Sequence, residues 1–297
     1  MITLAHLSDV HLAPLPPIRP TQLINKRLSG YLNWRLRRSS THGSEGLAQL
    51  VAHMQAEAPD FVAVTGDLVN LGVDAEIANA RTWLESVGPA DRVAVSPGNH
   101  DAYLPGTLTR ACDAWRPYVS GETIDDNPFP FVRRLGDVAV VSCCSAIATP
   151  PFFSAGRIDP AQASRLRRIL KLLGDGGYFR VVMIHHPPAR EGNRLRSGLW
   201  GARRFRDAIR TSGAELILHG HTHRSTMQYL PGPSGNVPVI GVASASTPPD
   251  APPNVDPARY NLFSIDRRNG TWTCGMGEFG FQRLGGQIVQ RDQKRIY

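Results

Sequence analysis

A layered α/β fold in one domain is predicted by three features of this 297-residue chain. Short apolar runs alternate with amphipathic helical stretches through the first two thirds, which is the pattern of sheets covered by helices. Strand-like segments separated by Gly and Pro turns fill the last third. Apolar residues make up 41% of the chain and charged residues 20%, enough for a core that needs no disulfide staple.

The elements follow in order. Ile2 to Ser8 reads as a strand ending at Asp9, and a proline-rich loop at Pro14, Pro16, Pro17 and Pro20 follows it. Residues 23–38 read as a helix with Ile24, Leu28, Tyr31, Leu32 and Leu36 on one face. A second helix opens at Gly43-Ser44-Glu45 and stops at Pro59-Asp60. Phe61 to Thr65 is a continuous apolar run, the mark of a buried strand. The alternation repeats with a helix over 75–87 and a strand over 92–96. A hairpin over 131–145 turns at Gly136-Asp137. Asp159 caps a helix through Leu166, Ile169 and Leu173. A strand over 179–184, a basic helix over 200–211 and a strand over 214–218 come next. Strands at 237–242, 260–265, 271–274 and 287–289 close the chain, and Pro248 to Pro257 reads as a surface loop. The expected organisation is a single domain over 1–297, with a basic amphipathic insert at about 19–40 and a strand-rich part from about 237.

Ligand-type side chains stand directly after five of these strands: Asp9 and His11; Asp67; Asn99, His100 and Asp101; His185 and His186; His219, His221 and His223. In open α/β sheets the carboxyl edge of the strands is where sites form. Each turn taken alone has an ordinary explanation as a cap or a loop, but five in the same structural slot point to a shared site. The donors are carboxylate, carboxamide and imidazole without thiolate, which suits Mn, Fe or Zn better than Ca²⁺. They are too many for one tetrahedral ion, and a carboxylate can bridge two ions ~3.5–4 Å apart.

Asp9-x-His11, Gly66-Asp67, Gly98-Asn99-His100-Asp101, His185 before His-Pro-Pro, and Gly220-His221-x-His223 resemble, in order, the five motifs of the calcineurin-like metallophosphoesterases. The resemblance implies a two-sheet β-sandwich flanked by helices and two divalent metal ions as cofactors. By the same resemblance, Asp9, His11 and His223 hold one ion, Asn99, His185 and His221 the other, and Asp67 bridges them. His100 matches the histidine near the leaving group, and Asp101 the partner that orients its ring. His185 is preferred to His186 because it directly follows the strand. The implied chemistry is in-line attack on phosphorus by a metal-activated hydroxide.

Substrate choice is less determined. Lys and Arg number 33 against 25 acidic residues, and only Lys26, Lys171 and Lys294 are lysines. Such an arginine bias favours anionic partners, although GC-rich coding produces it as well. Between Val10 and Ser44 there is no acidic residue, and residues 19–38 combine basic and apolar side chains. They fit either contact with an anionic membrane or acylated substrate, or plain packing on the sheet. Arg190, Arg194 and Arg196 are candidate substrate contacts just past His185.

The expected activity is phosphodiester hydrolysis of a small nucleotide- or lipid-linked substrate. In its motifs the chain is similar to bacterial cyclic-nucleotide and glycerophosphodiester phosphodiesterases. It is also similar to UDP-2,3-diacylglucosamine pyrophosphatases through its basic apolar insert. A nuclease lacks support, since no DNA-gripping domain is evident, and a metal-free interaction module should be missing ligands. The first residues, MITLAHLSDVHL, lack a basic n-region and a small-residue cleavage site, and no run approaches ~18 apolar residues. With four cysteines outside any Cys-x-x-Cys spacing, the expectation is a cytoplasmic protein, with peripheral membrane association left open. Oligomeric state is not readable.

Overall fold

The computed structural model describes residues 1–35, 44–189, 195–282 and 286–297. In chain order, β1 (Ile2–Leu7) is followed by a 3-10 turn at Pro20–Leu23, α1 (Lys26–Asn33), α2 (Ser44–Ala56), β2 (Phe61–Val64), α3 (Asp74–Val87), β3 (Val93–Val95) and α4 (Thr107–Ala114). The hairpin β4 (Phe131–Leu135) and β5 (Val138–Ser142) turns through Gly136-Asp137, with Leu135 paired to Val138. Next come β6 (Gly156–Arg157), α5 (Pro160–Asp175), β7 (Phe179–Met183), β8 (Leu199–Trp200), α6 (Ala202–Ser212) and β9 (Leu216–His219). The last strands are β10 (Thr226–Pro231), β11 (Asn236–Gly241), β12 (Arg259–Arg268), β13 (Thr271–Phe281) and β14 (Ile288–Arg295).

Two six-stranded sheets result, in the orders β14-β13-β12-β1-β2-β3 and β10-β11-β9-β7-β5-β4. Residue alternation shows how the second sheet is covered, because successive side chains point to opposite faces. Val138 and Val140 of β5, Val181 and Met183 of β7, and Leu216 and Leu218 of β9 join the core shared with β1 and β2. Their neighbours Ala139, Val141, Val182 and Ile217 pack instead with Leu166 and Leu170 of α5 and Phe205 and Ile209 of α6. Leu50 and Met54 of α2 and Ile77 and Leu84 of α3 pack with the first sheet's strands. The expected two-sheet sandwich flanked by helices is what the chain forms. Strands β1-β2-β3 and β5-β7-β9 are parallel within their sheets, so their carboxyl ends converge on one edge.

The helix of the insert begins later than the expected start at residue 23. It starts at Lys26, where the Asn25 side chain accepts the Arg27 amide hydrogen, and Leu36, Arg37 and Arg38 lie outside the described residues. Its buried side is polar: Arg27 donates from Nε to Leu71 O (2.9 Å) and from Nη2 to Gly72 O (2.6 Å). The apolar side faces out, with Ile24 80% exposed and Leu28 and Leu32 each 49% exposed. The surface under α1 is a loop of backbone carbonyls, which takes guanidinium donors in preference to leucines.

Candidate metal centre

The convergent strand ends are tied together by backbone hydrogen bonds. Asp9 donates to Gly66 O, His11 to Asp67 O, and Gly220 to His185 O, at 2.9 to 3.0 Å. Five of the expected ligands adopt left-handed backbone: Asp9 (φ 54°), His11 (41°), Asp67 (57°), His221 (69°) and His223 (55°). That conformation is disfavoured for residues with a Cβ, and such strain concentrates at functional sites. Two glycines let the loops close. A Cβ on Gly98 would collide with the Asp67 carboxylate, and one on Gly220 with Ser8 Oγ and Asp9.

Three of the four expected ligand imidazoles are oriented by a backbone carbonyl. His11 Nδ1 faces Val69 O (3.3 Å), His185 Nδ1 faces Thr65 O (2.6 Å), and His221 Nε2 faces Ser197 O (2.9 Å). A carbonyl only accepts, so these nitrogens carry a proton and the opposite nitrogen of each ring is the one that faces the site. Those nitrogens meet oxygen atoms and one another. His185 Nε2 and His221 Nδ1 lie 3.3 and 2.9 Å from Asn99 Oδ1. His11 Nε2 is 3.4 Å from His223 Nε2, which is 3.2 Å from Asp9 Oδ1. Asp67 stands between the two groups, its Oδ2 being 3.4 Å from His185 Nε2 and 3.8 Å from His11 Nε2. Ring nitrogens and carboxylate or carboxamide oxygens gathered at such distances form ligand sets for a cation. Asp9 Oδ1 is also buried without a satisfying hydrogen bond. Donor atoms of Asp9, His11 and His223, and of Asp9, Asp67 and His185, lie within 4.8 Å of one another. The set fits two divalent ions.

Charges are coupled accordingly. Burial opposes ionisation of Asp67, but His185, His100 and His11 hold its carboxyl well below the usual range. Burial opposes charging of His185, and Asp67 and Asp9 override it, raising the imidazole to about 9. Burial, reinforced by His185, lowers His221 to about 4.

His186 comes within ligand distance of His185 and His221, but both its nitrogens are engaged, by Ser145 Oγ (2.8 Å) and Ser154 O (3.0 Å). His219 is a buried strand residue whose Nδ1 faces Gly220 O. His100 lies beside the ligands, 4.8 Å from His11 between ring centroids. Its backbone N–H donates to Asp67 Oδ1 (2.7 Å) and its Nδ1 faces Asn70 O (2.6 Å).

The expected pairing of Asp101 with the His100 ring is not what the chain builds. Asn70 O takes the ring nitrogen, and Asp101 accepts four backbone amides instead. These are Gly98 and Asp67 at Oδ2 (2.8 and 2.9 Å), and Leu68 and Val69 at Oδ1 (2.9 and 3.3 Å). The reason is geometric: Asp101 sits where two ligand loops turn their N–H groups inward, and a buried carboxylate can satisfy several. Asp101→Ala is therefore expected to destabilise the fold by at least about 3 kcal/mol through stranded buried amides. Denaturant unfolding reads this directly, and a loss under 1 kcal/mol would contradict the strut.

Of the candidate substrate arginines, Arg190 and Arg194 lie outside the described residues. Arg196 lies over the Phe153 ring at 5.9 Å. Arg224, which sequence reasoning passed over, lines the cavity of about 670 Å³ above the ligands, with Ser197, Thr222 and Thr226. Its one sequence signal is its position directly after His223.

A family profile described as calcineurin-like phosphoesterase matches residues 2–225. A probable cyclic nucleotide phosphodiesterase of Rhodococcus erythropolis is 28% identical over 233 residues, covering 77% of this chain and 67% of its own. One of a Synechococcus strain is 27% identical over 186 residues, covering 61% and 64%. The matches thus span about two thirds of those relatives. Among solved structures, a dimetal phosphatase from Danio rerio aligns over 98% of this chain and 99% of its own, with TM-score 0.60 and 14% identity. A purple acid phosphatase from yellow lupin seeds aligns over 97% and 52%, with TM-score 0.55 and 12% identity. These two share the fold. The chain belongs to the calcineurin-like phosphoesterase family, whose members are dinuclear metal-dependent phosphoric ester hydrolases.

Proposed function

We propose that this calcineurin-like phosphoesterase hydrolyses the phosphodiester bond of a small nucleotide-linked substrate. In this reading Asp9, His11 and His223 hold one divalent ion, Asn99, His185 and His221 the other, and Asp67 serves both. The observation that carries it is the convergence, at the strand ends, of imidazole nitrogens with carboxamide and carboxylate oxygens at 2.9 to 3.4 Å. Nitrogen and oxygen donors without thiolate suit Mn, Fe or Zn. When bound, such ions polarise phosphoryl oxygens and lower the pKa of water.

The chain's own groups do the rest. His100 donates its Nδ1–H to Asn70 O, and as an imidazolium it carries a second proton on Nε2, which passes to the departing ester oxygen and leaves the ring neutral. Asp101 acts as a positioning residue, holding the Asp67 and Asn99 loops in register. Arg224 at the cavity wall offers a guanidinium to a non-bridging oxygen or to the retained phosphate. The names of the two relatives support a nucleotide as substrate. Under Mn²⁺ the chain is expected to cleave bis(p-nitrophenyl) phosphate and cyclic nucleotides at least about tenfold faster than p-nitrophenyl phosphate. A preference for the monoester would contradict the diesterase reading.

One observation favours a second reading, a lipid-linked substrate such as the diacylated UDP-sugar. Ile24, Leu28, Leu32, Phe152 and Leu195 are all exposed, on segments that contact one another through Lys26, Phe153 and Arg196. Exposed apolar side chains gathered on neighbouring segments mark an interaction surface, and basic residues beside them suit an anionic bilayer. On this reading the chain co-sediments with phosphatidylglycerol vesicles, and Leu28→Ser with Leu32→Ser releases it. Sedimentation identical with and without vesicles removes the reading. Among the described residues no helix is long and apolar enough to cross a membrane.

A further inference from the structure

A second cavity of about 510 Å³ opens beside the metal centre and shares with its cavity only Asn99, His100 and Ser154. Trp34, Tyr103, Phe152 and Phe153 line it together with polar residues such as Ser29 and Asn70. Phe152 stands 83% exposed at φ 67°, a left-handed posture that a bulky residue adopts only under constraint. The helix α1 closes one side tightly. Gly30 is so near the Tyr103 hydroxyl that a Cβ would collide with it, which accounts for glycine inside a helix despite its poor propensity.

One cation enters this cavity. Lys26 Nζ donates to Thr149 Oγ1 (2.9 Å) and Phe153 O (3.3 Å) and lies 4.8 Å from the centroid of the Tyr103 ring. Among the described residues it makes no ion pair. Burial lowers its pKa to about 8, so the ammonium remains charged at neutral pH.

We propose, resting on the phosphodiesterase reading above, that this cavity holds one ester arm of the substrate as a purine-type ring, packed against Phe152 and Phe153, with Lys26, which lies over the Tyr103 ring, donating to acceptor atoms at the ring edge. Aromatic walls bind any nucleobase through its π-face. An ammonium has donors only, so it selects an edge rich in acceptors, such as the N7 and O6 of guanine. An acyl chain in the same place would cover the ammonium without giving it an acceptor, which costs free energy.

Calorimetric titration of the full metal-free chain tests this without relying on turnover. GMP is expected to bind at least about tenfold tighter than glycerol 3-phosphate. Lys26→Met and Phe153→Ala should each erase most of that difference, weakening GMP far more than glycerol 3-phosphate. Equal affinity for the two ligands overturns the proposal. So does decyl phosphate binding tighter than GMP and losing affinity in Phe153→Ala, which would assign the cavity to an acyl arm. If GMP binds as expected while the Mn²⁺-loaded chain leaves bis(p-nitrophenyl) phosphate intact, the ring pocket stands and the phosphodiesterase reading fails.

Discussion

Asp67→Ala is expected to strip both metal ions from the chain and to lower phosphodiester turnover by about 10³-fold or more. Asp67 stands between the two ligand groups, with Oδ2 at 3.4 Å from His185 Nε2 and 3.8 Å from His11 Nε2. Its Oδ1 accepts the His100 amide and its own N–H is held by Asp101, so the side chain has one orientation available. Removing it leaves His185 and His11 without the charge that offsets bringing a cation near them. Asp67→Asn separates this from misfolding: it keeps the shape and the His100 contact but loses the charge. Metal analysis after Mn²⁺ loading should find both variants depleted, with thermal unfolding of Asp67→Asn near that of the unaltered chain. Two ions retained by Asp67→Ala would show that the two groups bind independently.

His100→Ala should behave in the opposite way, keeping both ions while kcat falls by about 10²–10⁴-fold, the usual range for a general acid. His100 is close enough to His11 and Asp67 to be taken for a ligand, and its retention of metal is what separates the two roles. The deficit should shrink for leaving groups that need no proton, such as p-nitrophenolate, and stay large for an alkoxide such as a ribose oxygen. A uniform deficit across leaving groups, or loss of one ion, would place His100 among the ligands.

Much of this was legible before any coordinates. The apolar runs at Phe61–Val64 and Val138–Ser142 and the capped helix after Asp159 form where expected. As candidate ligands, Asp9, Asp67, Asn99, His185, His221 and His223 stand out in the sequence because each comes soon after a buried strand, and strand ends are the places a sheet brings together. The miss at Asp101 has the same root. Sequence places it beside His100, but only the folded loops show four N–H groups converging on it.

Other elements leave weak local signals. Strand β10 is an edge strand with mostly half-exposed side chains and a terminal proline, so it lacks alternation. Strands β13 and β14 run on through Gly275, Gly277 and Gly280 and through Arg291 to Lys294, stretches that read as turn and tail until each pairs with the other. The helix α4 buries only Thr107 and Ala111, too little for a periodic pattern. The paired segments β6 and β8 are two residues each and meet across forty residues of chain. The orientation of α1 was unreadable for a different reason. Its amphipathic pattern is real and fits either reading, and only the fold shows that Arg27 meets the carbonyl-rich loop at Leu71–Gly72 while Leu28 and Leu32 face out.

Anomalous diffraction from crystals of the full chain grown with Mn²⁺ tests the central claim most directly. The account predicts two peaks in the cavity at the strand ends, one among Asp9, His11 and His223 and one among Asn99, His185 and His221, both in contact with Asp67. A single peak touching only one group, or manganese bound only elsewhere on the surface, would contradict it.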